Sequence, residues 1–226
     1  MATLFKNYDN LIDFNRQSLA LAAGFIIFNP VFWNSVARTV LKDFYRNNNL
    51  YLSEYRTKFL TRLAGGNGRL ACYGLGVTIF SLGIFRDFLF ERAIREQSTS
   101  LLLSTPLFRA LSYILLAIGN TLVLSSMWAL GFTGTYLGDY FGILKENMVT
   151  GFPFNITDAP MYYGSTLSFL GTSIYYGKPA GIILTLEILI VYLIALRFED
   201  PFTMEIYAKR DRERERERKE ENRKEI

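Results

Sequence analysis

The sequence predicts an all-α membrane protein: an N-terminal re-entrant or interfacial helix, three transmembrane helices and an additional half-inserted apolar segment. Three observations carry this. Charge is segregated, because the last 18 of the 226 residues, Lys209 to Ile226, hold 16 charged side chains and leave only 30 for the other 208, well below the roughly one in four of soluble domains. Uncharged stretches run from Gln17 to Ala37, Leu70 to Phe85, Ala110 to Gly138 and Ala159 to Gly177, or 21, 16, 29 and 19 residues. A helix needs about 20 residues to cross roughly 30 Å of hydrocarbon. A fifth apolar run, Pro179 to Leu196, carries a single charge, Glu187.

Taken in order, the first stretch is interrupted by Asn29-Pro30 and Asn34, with Phe32 and Trp33 between them. Polar and aromatic residues at that spacing suit a helix that dips into the membrane as much as one that spans it. The second reaches full span if Arg86 and Asp87 stand at the boundary. The third, rich in Leu, Ile, Val and Met, exceeds a membrane thickness. The fourth mixes Tyr, Ser, Thr and Gly with few aliphatics and reads as buried or half-inserted against other helices. The fifth ends at Arg197, which can snorkel to the interface, before Glu199-Asp200-Pro201, where proline is expected to limit continuation of the helix. The N-terminus lacks the pattern of a secretory signal peptide.

The residues divide into a membrane-embedded unit, 1–207, and a charged tail, 208–226. The tail holds nine basic and seven acidic residues, and the connections from Arg38 to Arg69, Arg86 to Arg109 and Asp139 to Asp158 hold seven, four and one basic residues. With an odd number of crossings the tail decides the balance and is expected on the cytoplasmic side. Its alternating Arg and Glu suit i,i+4 pairing on a solvated helix.

Composition removes several chemistries. Without histidine and with the single cysteine Cys72, there is no disulfide framework, no Cys/His zinc site and no Ser-His-Asp or Cys-His constellation. No metal site is expected. A net charge of +4 with alternating signs gives no support to a nucleic-acid partner. Proton transfer falls to carboxylates, Tyr, Lys, lipid phosphate or water.

Candidate chemistry gathers after the third span. Glycines 134, 138 and 142 fall four apart, which on a helix makes a smooth stripe for close approach of another backbone or a flat ligand. Asp139 lies beside it, either a boundary marker or a buried carboxylate able to take a proton. The turn-rich segment 151–165, with Asn155, Asp158, Pro160 and a tyrosine pair, reads as part of a pocket. Glu199 and Asp200 mark the water boundary or bind a ligand, and Glu187 is either functional or a neutral residue hydrogen-bonded to a neighbour.

The runs FNPVFWNSVAR (28–38), LVLSSMWALGFTGTYLGDYFGILKE (122–146), FPFNITDAPMYYGSTLSFLG (152–171) and FEDPFTMEIY (198–207) closely resemble the phospholipid N-methyltransferases, over nearly everything from Phe28 to Tyr207. The resemblance implies an endoplasmic-reticulum enzyme with an N-terminal helix that does not cross and three that do. It uses S-adenosylmethionine to methylate phosphatidylethanolamine or its mono- and dimethyl derivatives, ending at phosphatidylcholine. A Gly-x-Gly cofactor element falls on Ala117-Ile118-Gly119, with Ala117 in place of the first glycine, and an acidic cofactor pair on Glu199-Asp200. A Pro-x-Tyr-x-Gly element of the wider superfamily falls on Pro160, Tyr162 and Gly164. Asp158 and Ala159 stand where carboxyl methyltransferases carry basic residues, which favours an amine acceptor. Methyl transfer needs alignment of donor and acceptor and exclusion of water rather than a metal or a covalent nucleophile, and Asp139 and Glu146 are the candidate bases. A lipid carrier or scaffold, or a carboxyl or sterol-type member of the superfamily, is the alternative; oligomeric state is not legible.

Overall fold

The computed structural model describes residues 11–38 and 58–224. The basic residues Lys42, Arg46 and Arg56 of the first long connection lie outside this set. The chain forms helices α1 (Gln17–Arg38), α2 (Phe59–Leu63), α3 (Gly68–Arg95), α4 (Pro106–Thr135), a 3₁₀ turn (Gly138–Phe141), α5 (Pro160–Tyr175) and α6 (Pro179–Lys224). Four helices, α1 and α3 included with α4 and α6, are long and apolar enough to cross a membrane. The all-helical expectation holds, and α1 qualifies by length and composition alongside the three segments expected to cross.

The apolar runs become helices because a backbone in hydrocarbon must satisfy its own hydrogen bonds. Asn67 caps α3, its side chain accepting from the Leu70 amide at 3.1 Å, and prolines open α4, α5 and α6, where a missing N–H costs nothing. Outward faces stay apolar: Leu107 is 76% exposed and Trp128 91%, as suits contact with lipid. The main core joins four helices through Ala22 and Ile26 of α1, Phe90 and Ile94 of α3, Phe169 of α5 and Ile188 of α6.

Two features fix which end is which. At one end Ser18 donates to Glu96 at 2.6 Å, Gln97 exchanges bonds with the Asp13 backbone, and Lys178 donates to the Gln97 carbonyl. At the other, Trp33 and Asn34 of α1 reach Glu199 of α6. Sixteen residues separate Ser18 from Asn34, so α1 runs about 24 Å along the bundle. Beyond Glu199, α3 and α6 continue to a small cluster of Leu75, Tyr140 and Ile206.

Two local expectations need correction, and a third residue has a setting that its sequence position does not reveal. Pro201 does not end the last helix; it lies inside α6, which continues to Lys224. The lost backbone bond is tolerated because Glu199 and Thr203 on either side of it are tied to other elements. Nor do glycines 134, 138 and 142 form a stripe on one helix. α4 stops at Thr135, and left-handed backbone at Leu137 (φ 59°) and Gly142 (φ 75°) brackets the 3₁₀ turn; a Cβ at Gly138 would meet the Thr133 carbonyl at 2.6 Å. Arg86 is that third residue. Its guanidinium lies 4.9 Å above the Phe169 ring and donates to the Tyr192 hydroxyl and to Asp87, so a charge inside α3 is covered by an aromatic face and paired.

Candidate active site

At the tail end of the bundle the fold gathers carboxylates from three separate segments. Glu199, on α6, receives three hydrogen bonds: Trp33 Nε1 (3.0 Å) and Asn34 Nδ2 (2.8 Å) donate to Oε1, and the Tyr162 hydroxyl donates to Oε2 at 2.5 Å. Asp139 opens the 3₁₀ turn. Its Oδ2 accepts from Thr203 Oγ1 at 2.6 Å and its Oδ1 from the Tyr140 amide at 3.1 Å. Asp139 lies within electrostatic reach of Glu199, and Asp200 within reach of both Glu199 and Asp158. Among the described residues no ion pair involves any of these four carboxylates. Asp200 is exposed and has no hydrogen-bond partner there, and Asn34 Oδ1 is buried without a donor.

Tyr162 reaches the cluster because α5 lies tightly along α4. A Cβ on Gly119 would stand 2.6 Å from the Gly164 carbonyl and 2.5 Å from Ser168 Oγ, and one on Gly164 would stand 2.7 Å from the Gly119 carbonyl. Bare glycines at the crossing therefore let two backbones touch. Tyr162 sits two residues from that crossing. Its ring meets Tyr192 edge-on at 4.7 Å, and Arg86 in turn holds Tyr192. The Tyr162 hydroxyl is the donor in the bond to Glu199.

The sequence-predicted residues thus fall into two touching groups and some outliers. Tyr162 and Glu199 meet, with Asp200 adjacent and Asp139 close by; Gly119 and Gly164 meet at the helix crossing beside them. Ala117 and Ile118 lie on the exposed face of α4. Glu146 is exposed on the connection after the 3₁₀ turn, where Arg214 reaches its backbone carbonyl at 3.5 Å. Glu187, half-buried and without a partner among the described residues, is twelve residues from Glu199 along α6. Trp33, Asn34 and Thr203 are additions that the sequence reading did not select; the signal for the first two was the polar interruption of an apolar stretch.

Among the described residues the arrangement offers hydrogen-bond acceptors and negative charge with no paired cation, at the ends of helices whose outer faces suit lipid. Its chemistry is complementary to a cation bearing N–H or O–H donors. Among the described residues no cluster of three metal-ligating side chains is present.

Comparison with known proteins agrees with the likeness seen in the sequence. Residues 107–210 match the family described as phospholipid methyltransferase. The phosphatidyl-N-methylethanolamine N-methyltransferase of Neurospora crassa is 58% identical over 204 residues, covering 90% of this chain and 89% of its own. The protein of the same name from Saccharomyces cerevisiae is 49% identical, covering 89% and 90%. The human phosphatidylethanolamine N-methyltransferase is 47% identical, covering 82% and 85%. No solved structure matches. With likeness of this degree across most of its length, the chain belongs to the phospholipid methyltransferase family.

Proposed function

We propose that the protein transfers methyl groups from S-adenosylmethionine to the amine of an ethanolamine-type phospholipid, forming phosphatidylcholine. The observation that carries this is the acidic cluster of Asp139, Asp158, Glu199 and Asp200, without a paired cation among the described residues. Both reactants are cations in water, one a sulfonium with an ammonium and ribose hydroxyls, the other an alkylammonium. The residues present fit the donor: among the described residues Asp200 offers an unengaged carboxylate and Asn34 Oδ1 a buried acceptor lacking a donor. When bound, the donor supplies an electrophilic methyl group. Gly119 and Gly164 shape the site by bringing α5 against α4, while any contact of Ala117 and Ile118 with the cofactor would require approach from the outer face of α4.

What the chain must add is alignment, dryness and a route for a proton. A primary amine with a pKa near 10 is neutral about once in a thousand molecules at pH 7. Of the two carboxylates expected as bases, Asp139 is the one beside Glu199; each of its oxygens accepts one hydrogen bond and keeps a further lone pair for an incoming proton. We assign it that role. Pro30 inside α1, beside the polar Asn29 and Asn34, supports α1 as a helix that dips into the membrane beside three that cross. The nine basic residues of the tail support a cytosolic tail, and an endoplasmic-reticulum location follows the family resemblance.

Identities of 47–58% to relatives named for the monomethyl acceptor, against 42–47% to those named for phosphatidylethanolamine, support a preference for acceptors already methylated. The test is purified protein with labelled S-adenosylmethionine and each acceptor separately: unmethylated, monomethyl and dimethyl. Label is expected in phospholipid, most rapidly with the methylated acceptors. No labelled phospholipid with any of the three would refute the proposal.

A further inference from the structure

The two carboxylates of the acidic pair are in unlike situations. Glu199 takes three hydrogen bonds, two from α1 and one from α5, out of about four lone-pair positions that a carboxylate offers. Asp200 has none among the described residues, and is exposed. The donors on Glu199 have little freedom. Trp33 has a single N–H and spends it there. Asn34 spends one amide proton on Glu199 and the other on the Pro30 carbonyl of its own helix at 3.1 Å, which fixes the side chain. Tyr162 is braced by the edge-on Tyr192 ring.

Resting on the methyltransferase reading above, we infer that Glu199 is a fixed anion set in place by Trp33, Asn34 and Tyr162, which makes α1 a structural part of the methyl-donor site, and that Asp200 is the member of the pair that engages the donor's own hydrogen-bond donors. Trp33, Asn34 and Tyr162 are positioning residues in this scheme, acting through Glu199. The other atom of the Asn34 amide, the buried Oδ1, has no donor among the described residues.

Thermodynamic coupling tests this directly, because residues acting through one group show non-additive losses and independent ones do not. Binding of S-adenosylhomocysteine to the purified full-length protein is measured for W33F, E199Q, D200N and the double variants W33F/E199Q and W33F/D200N. D200N is expected to weaken binding at least tenfold. W33F should weaken it severalfold in the wild-type background, by less than twofold once E199Q is present, and by its full factor beside D200N. Full additivity of W33F with E199Q, or wild-type affinity in D200N, would overturn the inference.

A second readout needs no ligand. The chain has two tryptophans, and W128F, which alters a residue 91% exposed on the outer face of α4, leaves Trp33 as the sole emitter. Adding E199Q should shift its emission by replacing the carboxylate at the indole N–H with a neutral amide; an unchanged spectrum would overturn the clamp. A wild-type protein that binds no S-adenosylhomocysteine and methylates no lipid would remove the methyltransferase reading, and the role of Asp200 with it. A wild type active in both, with additive losses, would remove this inference alone.

Discussion

Replacing Gly119 by alanine separates two roles for that glycine. If it is bare so that the cofactor can approach the backbone, the variant should lose cofactor affinity while the empty protein stays intact. The structure makes it bare for a different reason: a Cβ there would stand 2.5 Å from Ser168 Oγ, 2.6 Å from the Gly164 carbonyl and 2.8 Å from the Ser168 amide. Only the first of these belongs to a side chain. α5 must therefore retreat by about 0.8 Å to bring the carbonyl contact to an ordinary 3.4 Å. Tyr162 is two residues from the contact, and its 2.5 Å bond to Glu199 would lengthen to about 3.3 Å, beyond the usual range for O–H···O. Overpacking of this kind costs about 1–3 kcal/mol.

The assay is thermal unfolding of the purified protein without cofactor, compared with S-adenosylhomocysteine affinity. G119A should unfold at lower temperature in the empty state and should also bind less tightly. Replacing Ser168 by alanine in that background should restore little, since two backbone contacts remain. A117G is the control: Ala117 is exposed, so the change should cost no more than the roughly 1 kcal/mol of helix propensity. An empty G119A as stable as wild type, with affinity alone reduced, would refute the packing argument and turn Gly119 toward the ligand.

Other consequences are as direct. Asp139→Asn should lower turnover by about 10²–10⁴-fold with cofactor affinity nearly unchanged, read from single-turnover methylation and equilibrium dialysis; equal loss of both would remove it as the base. Glu187→Leu should keep methylation and raise stability by up to about 2–3 kcal/mol, the scale of burying a carboxyl group in a membrane. Truncation after Tyr207 removes Arg210 and Arg214, which reach the carbonyls of Lys145 and Glu146, and should lower thermal stability; truncation after Glu215 should not.

The helices were legible because hydrocarbon imposes a rule that operates residue by residue: long uncharged runs, with charges at their ends. Glu199, Asp200, Asp139 and Tyr162 were legible as polar groups next to such runs and through the family likeness. Trp33 and Asn34 were not, because their partner lies more than 160 residues away in sequence, and from sequence alone a tryptophan and an asparagine near a helix end look like anchors at the membrane surface. The cover over Arg86 was not legible for the same reason, because Phe169 and Tyr192 lie far from it in sequence. Pro201 failed because its effect on a helix depends on whether its neighbours are tied to other elements.

A surface of acceptors alone helps one part of the reaction and opposes another. Negative charge gathers cations, but it also favours the ammonium form of the acceptor, from which no lone pair is available. Removing water works the other way and makes the amine easier to deprotonate. The three donors on Glu199 leave little room for a proton there without displacing a bond, and Asp200 stands exposed, where a captured proton would be returned to water. In the proposed reading that proton goes to Asp139, tied by Thr203 and the Tyr140 amide yet with a lone pair on each oxygen. The proposed division of labour among like charges thus follows from their surroundings: one carboxylate held by three donors, one exposed, one tied but with lone pairs to spare.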